Sequence, residues 1–140
     1  MKVAPDLCVA SIERSVAFYR DVLGFSVNFE MPGNDGKIAH ADVSYGDASV
    51  MFDRLDWLPA EAQSNLGNGV SLYFEVGDVD IDAYYERVRA GGAHVDSEIR
   101  DQFWGHRHFT IHDPDGYHLS FAKPIRQVSP AEMAAALAGA

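Results

Sequence analysis

The sequence predicts an α+β fold built from two tandem βαβββ modules within a single domain, residues 1–140. Three observations predict it: a segment that recurs once along the chain, an amphipathic helix pattern at the same place in each copy, and alternating strand patterns after each helix. The boundaries that we expect are module one at about 1–54, a linker at about 55–68 and module two at about 69–123.

The repeat relates the segment that starts at Cys8 to the segment that starts at Glu75, which is 67 residues later. Each copy has a short strand, a polar residue suited to a helix N-cap (Ser11 or Asp78), an amphipathic helix and a terminating glycine. The apolar residues of the two helices recur at helical spacing: Ile12, Val16, Tyr19 and Leu23, then Ile81, Tyr84, Tyr85 and Val88. Caps, aromatic residues and glycines match together, which favours a true duplication over chance similarity.

After each helix the hydrophobic period changes from about 3.6 to 2, which is typical of strands. The predicted strands are 25–30, 38–43 and 48–53 in the first half, and 94–99, 105–112 and 117–122 in the second. Near the C-terminus, Ser129, Pro130 and Glu132 have the order of a helix cap, a proline at the first helical position and an acid at the third. They predict a short helix at about 130–138.

The strongest turn signal is the Asp-Pro-Asp-Gly segment at 113–116, which is typical of a bulged β-hairpin. In the bulged register, apolar residues pair on the face that packs against the helices: Phe109 with Phe121 and Ile111 with Leu119. The opposite face then carries polar pairs and one histidine further along: His112 with His118, Thr110 with Ser120, His108 with Ala122, and His106. This hairpin therefore predicts a sheet face with four histidines.

Two interpretations of this histidine face remain open from the residues alone. Histidine is the commonest metal-binding side chain, so the face is a candidate metal site. Neither strand of the hairpin places an acidic residue on the same face, which favours a hydrated cleft wall whose histidines form hydrogen bonds. The same alternation places Arg107 on the opposite face from the histidines.

Composition limits the classes of partner. The formal net charge is −10, which argues against nucleic acid and anionic membranes as partners and is compatible with a neutral or cationic small molecule. Cys8 is the single cysteine, which excludes an intrachain disulfide framework and fits a reducing compartment. No apolar run has the length of a membrane span, and the first ten residues lack the pattern of a signal peptide. We therefore expect a cytoplasmic protein.

Two segments, AFYRDVLGF at 17–25 and WGHRHFTIHDPDGYHLSF at 104–121, resemble the vicinal oxygen chelate superfamily. This superfamily is also called the glyoxalase, bleomycin-resistance and extradiol dioxygenase superfamily, and the resemblance covers roughly residues 2–123. The resemblance implies that the mixed sheets of the two modules curl into a cup with helices on the outer face. It also implies pairing into a homodimer.

In the metal-dependent enzymes of this superfamily, each module supplies one ligand from its first strand and one from its last. Carried over by the resemblance, the first-strand positions fall at Ala4 and Ser71, and the last-strand positions at Val50 or Met51 and at Ser120. None of these side chains is a ligand of the type that Zn, Ni, Fe or Mn requires. We therefore expect no metal, no cofactor and no catalytic residue.

The remaining resemblance is to the bleomycin-resistance proteins, which bind a bulky cationic aromatic compound in grooves at a dimer interface. It implies that Trp104 stacks on the ligand, and it leaves His40 as the nearest counterpart of a second stacking residue. We expect a small-molecule-binding protein that sequesters a planar compound, with a cation favoured by the charge. The predicted ligand-binding residues are Trp104, His40, His106, His108, Thr110, His112, His118 and Ser120.

Two alternatives stay open. The first is a metal-dependent or acid–base lyase, isomerase or dioxygenase of the same superfamily that uses the histidine-rich hairpin face. The second is a structural or accessory dimer that binds no small molecule, because a fold alone does not determine a function.

Overall fold

Each half of the chain folds into one βαβββ module, and the computed structural model describes residues 1–139. Module one and the linker contain β1 (Asp6–Val9), α1 (Ile12–Ala17, continued by a π-helical turn at Phe18–Val22), β2 (Ser26–Pro32), β3 (Ile38–Tyr45), β4 (Ala48–Arg54), a 3-10 turn (Leu55–Trp57) and α2 (Ala60–Gln63). Module two and the tail contain β5 (Ser71–Glu75), α3 (Ile81–Ala90), β6 (His94–Asp101), β7 (His106–His112), β8 (His118–Pro124) and α4 (Pro130–Ala138). All six predicted strands form, and their ends differ from the prediction by no more than two residues.

Each module has its own four-stranded mixed sheet. The strand order is β1-β4-β3-β2 in module one and β5-β8-β7-β6 in module two. The first strand of each module pairs in parallel with the last, and the other pairs are antiparallel. This confirms the α+β class with two tandem modules, and the two sheets are not closed onto each other. No helix within residues 1–139 is long and apolar enough to cross a membrane.

The two main helices begin with side-chain caps, but one cap differs from the prediction. The hydroxyl of Ser11 accepts a hydrogen bond from a backbone N–H of the first turn at 3.2 Å, as expected. The predicted cap Asp78 is wrong, because Asp80 accepts from two backbone N–H groups of α3, each at 3.1 Å. Asp78 lies instead inside a turn in which the N–H of Val79 donates to the carbonyl of Val76 at 3.3 Å.

The hairpin of β7 and β8 has the predicted bulged register. Phe109 lies opposite Phe121 and Ile111 opposite Leu119, and these four side chains are buried in the core against α3. Gly116 has a φ of 91°, the left-handed conformation that the hairpin turn requires. The opposite face of the hairpin carries two polar pairs, His112 with His118 and Thr110 with Ser120, and a third pair of His108 with Ala122.

The 113–116 turn of module two docks on module one through a buried carboxylate. The side chain of Asp113 is 1% exposed, and it accepts a hydrogen bond from the hydroxyl of Tyr19 at 3.0 Å. The same carboxylate accepts from the backbone N–H groups of Asp115 and Tyr117, each at 3.0 Å. The hydroxyl of Tyr117 in turn donates to the carbonyl of Cys8 at 2.7 Å. These bonds join the hairpin to α1 and β1.

A second contact joins the modules at the other side of the core. The hydroxyl of Tyr84 on α3 donates to the carbonyl of Leu23 at the end of the first helix, with a distance of 2.7 Å. Phe25 packs edge-on against both Tyr45 and Phe74, at 5.7 and 5.9 Å between ring centroids. The buried residues of both modules therefore belong to one continuous hydrophobic core.

We expect the Tyr19→Phe substitution to lower the free energy of unfolding by about 1–3 kcal/mol, because it leaves the buried carboxylate of Asp113 without one donor. Urea denaturation followed by circular dichroism measures this loss. Tyr45→Phe is the matched control, because the Tyr45 hydroxyl makes no hydrogen bond with any residue in 1–139. Equal stabilities of the two variants would contradict the role assigned to Tyr19.

Candidate functional site

Each sheet has one face packed on the core and one face free of helices, which we call the open face. On the open face of module two, β7 and β8 present the polar hairpin residues at alternating positions. These residues range from exposed to buried: His118 is exposed, His106, Thr110 and His112 are half-buried, and His108 and Ser120 are buried. The structure therefore places all six predicted hairpin residues on one surface.

One end of this open face is an ordered group of rings, Tyr73, Trp104, His106 and His108, which we call the aromatic shelf. Tyr73 belongs to β5 and lies opposite Ser120, and its ring reaches across β8 to stack on His108 at 5.7 Å and 18°. Ala122 on β8 lies between His108 and β5 in the sheet. Its side chain is small, which leaves room above it for this stack, and the stacked rings bury it fully.

A chain of hydrogen bonds holds the aromatic shelf. The indole N–H of Trp104 donates to the hydroxyl of Tyr73 at 3.2 Å. The same hydroxyl lies within hydrogen-bond distance of Nδ1 of His106, at 2.8 Å. Trp104 also packs edge-on against His108 at 5.5 Å between ring centroids. Trp104 is therefore part of a fixed wall rather than a freely rotating side chain.

Within the aromatic shelf, the surroundings of His108 favour its neutral form. Burial lowers the pKa of His108 below its ordinary value, and the neighbouring charges of His106 and Arg100 lower it further. The side-chain amide of Gln102 lies 3.3 Å from Nδ1 of His108. An uncharged imidazole stacked on Tyr73 presents no positive charge to a ligand at neutral pH.

The other end of the open face carries a His–Asp cluster, which consists of His94, Asp96, His112 and His118. Nδ1 of His112 lies 2.9 Å from one carboxylate oxygen of Asp96, and Nδ1 of His118 lies 3.9 Å from the other. Nε2 of His94 lies 3.8 Å from the first oxygen. Asp96 is thus the acidic partner that the two hairpin strands lack.

His40, the predicted site residue of module one, lies on the open face of its own sheet. Its Nδ1 is 2.7 Å from a carboxylate oxygen of Asp53, which lies directly opposite on β4. Phe29 lies beside it, with 6.4 Å between ring centroids. Desolvation of its partly covered carboxyl group and the neighbouring carboxylate of Asp53 raise the pKa of Asp6 to about 6, and the charge of His40 opposes this shift.

The structure does not bring His40 together with the hairpin residues. Within residues 1–139, its hydrogen bond, ion pair and aromatic contact all join it to module one. The predicted site is therefore divided between two open faces in a single chain.

The structure shows where the side chains at the superfamily metal positions lie. Of the two candidates on β4, Val50 is buried in the core, and Met51 lies on the open face opposite Asp6. The hydroxyl of Ser71 lies 3.5 Å from the carbonyl of His118, and Ser120 is 7% exposed. Hydroxyl, thioether and methyl groups occupy these positions rather than the imidazoles or carboxylates of a catalytic zinc or iron site.

Sequence reasoning missed Tyr73, His94 and Asp96. Strand alternation from Ser71 places Tyr73 on the open face, so the signal was present in the sequence of β5. The position of Asp96 was harder to predict, because β6 has a bulge between Val95 and Ser97 that shifts its pairing with β7 and that its sequence does not reveal. Arg107 faces away from the histidines as predicted, and its guanidinium pairs with Asp82 at 2.7 Å and Asp101 at 2.8 Å.

A cleft of about 860 Å³ also lies beside the β5 edge, where the two modules meet. Its walls include Phe25 and Tyr84 from the core, the exposed Tyr45, and Tyr73 from the aromatic shelf. This cleft did not follow from the sequence, because it depends on how the β3–β4 turn packs against the second module. Tyr73 therefore borders both the cleft and the open face.

Residues 3–121 match the sequence model of the family described as Glyoxalase/Bleomycin resistance protein/Dioxygenase superfamily. The uncharacterized protein Mb0911c of Mycobacterium bovis is 30% identical over 141 residues, which cover 96% of this chain and 91% of that protein. The bleomycin resistance protein of Geobacillus stearothermophilus is 30% identical over 130 residues, which cover 87% of this chain and 96% of that protein.

The fold is also similar to solved structures. The crystal structure of TioX from Micromonospora sp. ML1 superposes with a TM-score of 0.70 at 26% sequence identity. The superposition covers 89% of this chain and 99% of that chain, so it includes both modules.

We expect the Asp6→Asn substitution to stabilise the protein at neutral pH and to have no effect at pH 3.8 or below. The pKa of Asp6 in the folded state is about 6 against an ordinary 3.8, so its charged form opposes folding. This penalty appears as the pH rises from 3.8 to about 6, and the substitution removes it. Because Asp6 is exposed, solvent screening limits the gain to about 1 kcal/mol.

Thermal unfolding of both proteins across this pH range measures the difference. Asp47→Asn is the matched control, because Asp47 is exposed and forms no ion pair with the part of the chain that the structure describes. A gain from Asp6→Asn that is independent of pH would refute the proposed charge penalty.

Proposed function

Because this chain belongs to the glyoxalase/bleomycin resistance protein/dioxygenase superfamily, we propose that it is a binding protein that sequesters a planar, cationic small molecule. The similarity to a bleomycin resistance protein over 96% of that protein's length supports a binding role. The observation that carries the proposal is the aromatic shelf, in which Tyr73 stacks on neutral His108 at one end of an open sheet face.

The geometry of the aromatic shelf is suited to stacking. Tyr73 is 46% exposed although its hydroxyl is held by two hydrogen bonds, so its ring is rigid and still accessible. A rigid aromatic side chain loses little conformational entropy when a ligand stacks on it. Phe103 packs edge-on against Trp104 at 5.0 Å, and it extends the apolar surface beyond the shelf.

Electrostatics favour a cationic ligand over an anionic one. The net charge of −10 attracts cations, and an aromatic face attracts a cation by about 0.5–2 kcal/mol. In its neutral form, His108 adds no positive charge to the one that Arg100 carries on the neighbouring strand β6. The short polar groups of Thr110 and Ser120, further along the same face, would orient the ligand through hydrogen bonds.

A second candidate function is acid–base catalysis by the His–Asp cluster. The 2.9 Å contact between His112 and Asp96 is the arrangement in which a carboxylate orients a histidine general base. The serines at Ser71 and Ser120 and the methyl group of Ala4 disfavour the metal-dependent reactions of the superfamily. Recovery of a bound compound in unaltered form, checked by mass spectrometry, distinguishes sequestration from catalysis.

We further propose that the protein acts as a homodimer. His40 and the hairpin residues lie on separate open faces of one chain, and a two-fold pairing of modules can bring such faces together. β2 is an edge strand whose Phe29 and Met31 are 52% and 40% exposed, which indicates a surface suited to burial in an interface. Partial burial and the nearby carboxylates of Asp53 and Asp6 raise the pKa of the Cys8 thiol, and a free thiol of low reactivity fits the cytoplasm.

Sedimentation at micromolar concentration is expected to give a mass of about twice 15.4 kDa. Substitution of Phe29 by Glu adds a charge to the exposed edge strand and is expected to shift the equilibrium toward the monomer. Trp57→Glu is the matched control, because Trp57 is similarly exposed, at 57%, and lies in the linker. A wild-type monomer at this concentration would exclude the dimer.

Titration with planar cationic compounds such as bleomycin-type glycopeptides is expected to quench the fluorescence of Trp104. The chain has two tryptophans, so a Trp57→Phe background makes Trp104 the only reporter. In wild-type protein, Trp104→Ala and Tyr73→Ala are each expected to weaken binding about ten-fold or more, the size of one stacked aromatic contact. Isothermal calorimetry measures these affinities without depending on fluorescence.

Tyr73→Phe serves as the conservative control, because it keeps the stacking ring and removes only the hydroxyl that holds Trp104 and His106. A smaller loss with Tyr73→Phe than with Tyr73→Ala is expected. Unchanged affinity after Trp104→Ala and Tyr73→Ala would place the ligand elsewhere, and equal binding of anionic planar compounds would refute the charge argument.

A further inference from the structure

We propose that the His–Asp cluster is a binding site for a divalent metal ion of the Zn²⁺ type. The ligand atoms of His94, Asp96 and His112 all lie within 4.8 Å of one another, and His118 stands beside the same carboxylate. The site is separate from the superfamily metal positions, because none of its residues lies at Ala4, Ser71, Met51 or Ser120. It is also independent of the proposed binding function, which rests on the aromatic shelf.

The fold brings these residues together from three strands. His94 lies directly opposite His112 in the β6–β7 ladder, and His118 lies directly opposite His112 in the β7–β8 ladder. The three imidazoles therefore form a row across the open face. The ring centroids of His94 and His112 lie 4.1 Å apart.

The bulge of β6 supplies the carboxylate. Asp96 is the extra residue between the paired positions Val95 and Ser97, so it has no direct partner in the ladder. Bulges often redirect a side chain toward a functional surface. Here the redirected carboxylate contacts His112 at 2.9 Å and lies within 4 Å of both His94 and His118.

The donor set determines which metal is preferred. Two or three imidazole nitrogens with one carboxylate oxygen match the ligands of Zn²⁺ and of other borderline ions such as Co²⁺ and Ni²⁺. Mg²⁺ and Ca²⁺ prefer sites built from oxygen atoms and would bind poorly here. The side chains of His94 and His118 are 68% and 56% exposed, so both can turn toward an ion without disturbing the core.

A second group of ligand-type residues, Asp6, His40 and Asp53, provides a comparison within the same chain. It contains one imidazole, that of His40, whereas the His–Asp cluster contains three. Its other two groups are carboxylates, which offer oxygen atoms rather than imidazole nitrogens. Borderline ions therefore favour the His–Asp cluster.

Metal binding by untagged, chelator-treated protein tests this site directly. Equilibrium dialysis with Zn²⁺ is expected to give about one tightly bound ion per chain. Co²⁺ added in its place is expected to give the intense visible absorption of a tetrahedral site. His94→Ala, Asp96→Asn and His112→Ala are each expected to weaken Zn²⁺ binding by about 10–100-fold or more. Asp96→Asn is nearly isosteric, so it tests the charge without altering the packing.

Two matched controls keep the assignment specific. His106→Ala removes a histidine of the same strand and face that lies outside the cluster, and His40→Ala disrupts the comparison group of module one. Both are expected to keep wild-type Zn²⁺ affinity, and circular dichroism verifies that all variants are folded. Absence of bound Zn²⁺, an equal loss with His106→Ala, or a loss with His40→Ala in place of His112→Ala would each overturn the proposal.

Discussion

The arrangement of the whole molecule depends on the buried carboxylate of Asp113. It receives hydrogen bonds from Tyr19 of module one and from backbone N–H groups of its own turn. Burial raises the pKa of this carboxyl, and those hydrogen bonds oppose the shift. A buried polar group with all its partners in place specifies one arrangement of its neighbours. The turn is thus held against α1, and the position of the β7–β8 hairpin relative to module one follows from it.

The same hairpin builds the core and presents the candidate sites. Alternate residues of β7 enter the core, where Phe109 and Ile111 are fully buried, while His108 and His112 face the other way. Each of these two histidines therefore follows or precedes a buried core residue, which fixes the position of its backbone. His108 and His112 are four residues apart on one strand, which separates the aromatic shelf from the His–Asp cluster by about 13 Å. A ligand at one end and a metal ion at the other would share a face without competing for the same side chains.

The part of the candidate site that lies on the β7–β8 hairpin could be predicted from the sequence. The turn signal at 113–116 and the two-residue period of its strands determine the register, and with it the face on which Thr110 and Ser120 lie. Tyr73 and Asp96 come from the two strands that flank the hairpin, and neither strand carries a turn signal that fixes its register against β7 or β8. The cap at Asp80 was missed for a related reason, because a local turn at 76–79 delays the start of α3.

The sequence by itself determined the two modules, their order of strands and helices, and the separation of apolar and polar residues on each strand. Hydrophobic periodicity, caps and turns act over a few residues, so they can be read along the chain. Only the tertiary structure decided which strands flank the β7–β8 hairpin, that a bulge directs Asp96 toward three histidines, and that His40 occupies a different open face. These features depend on contacts between residues distant in sequence, where burial and sheet pairing, rather than local preference, select the partner.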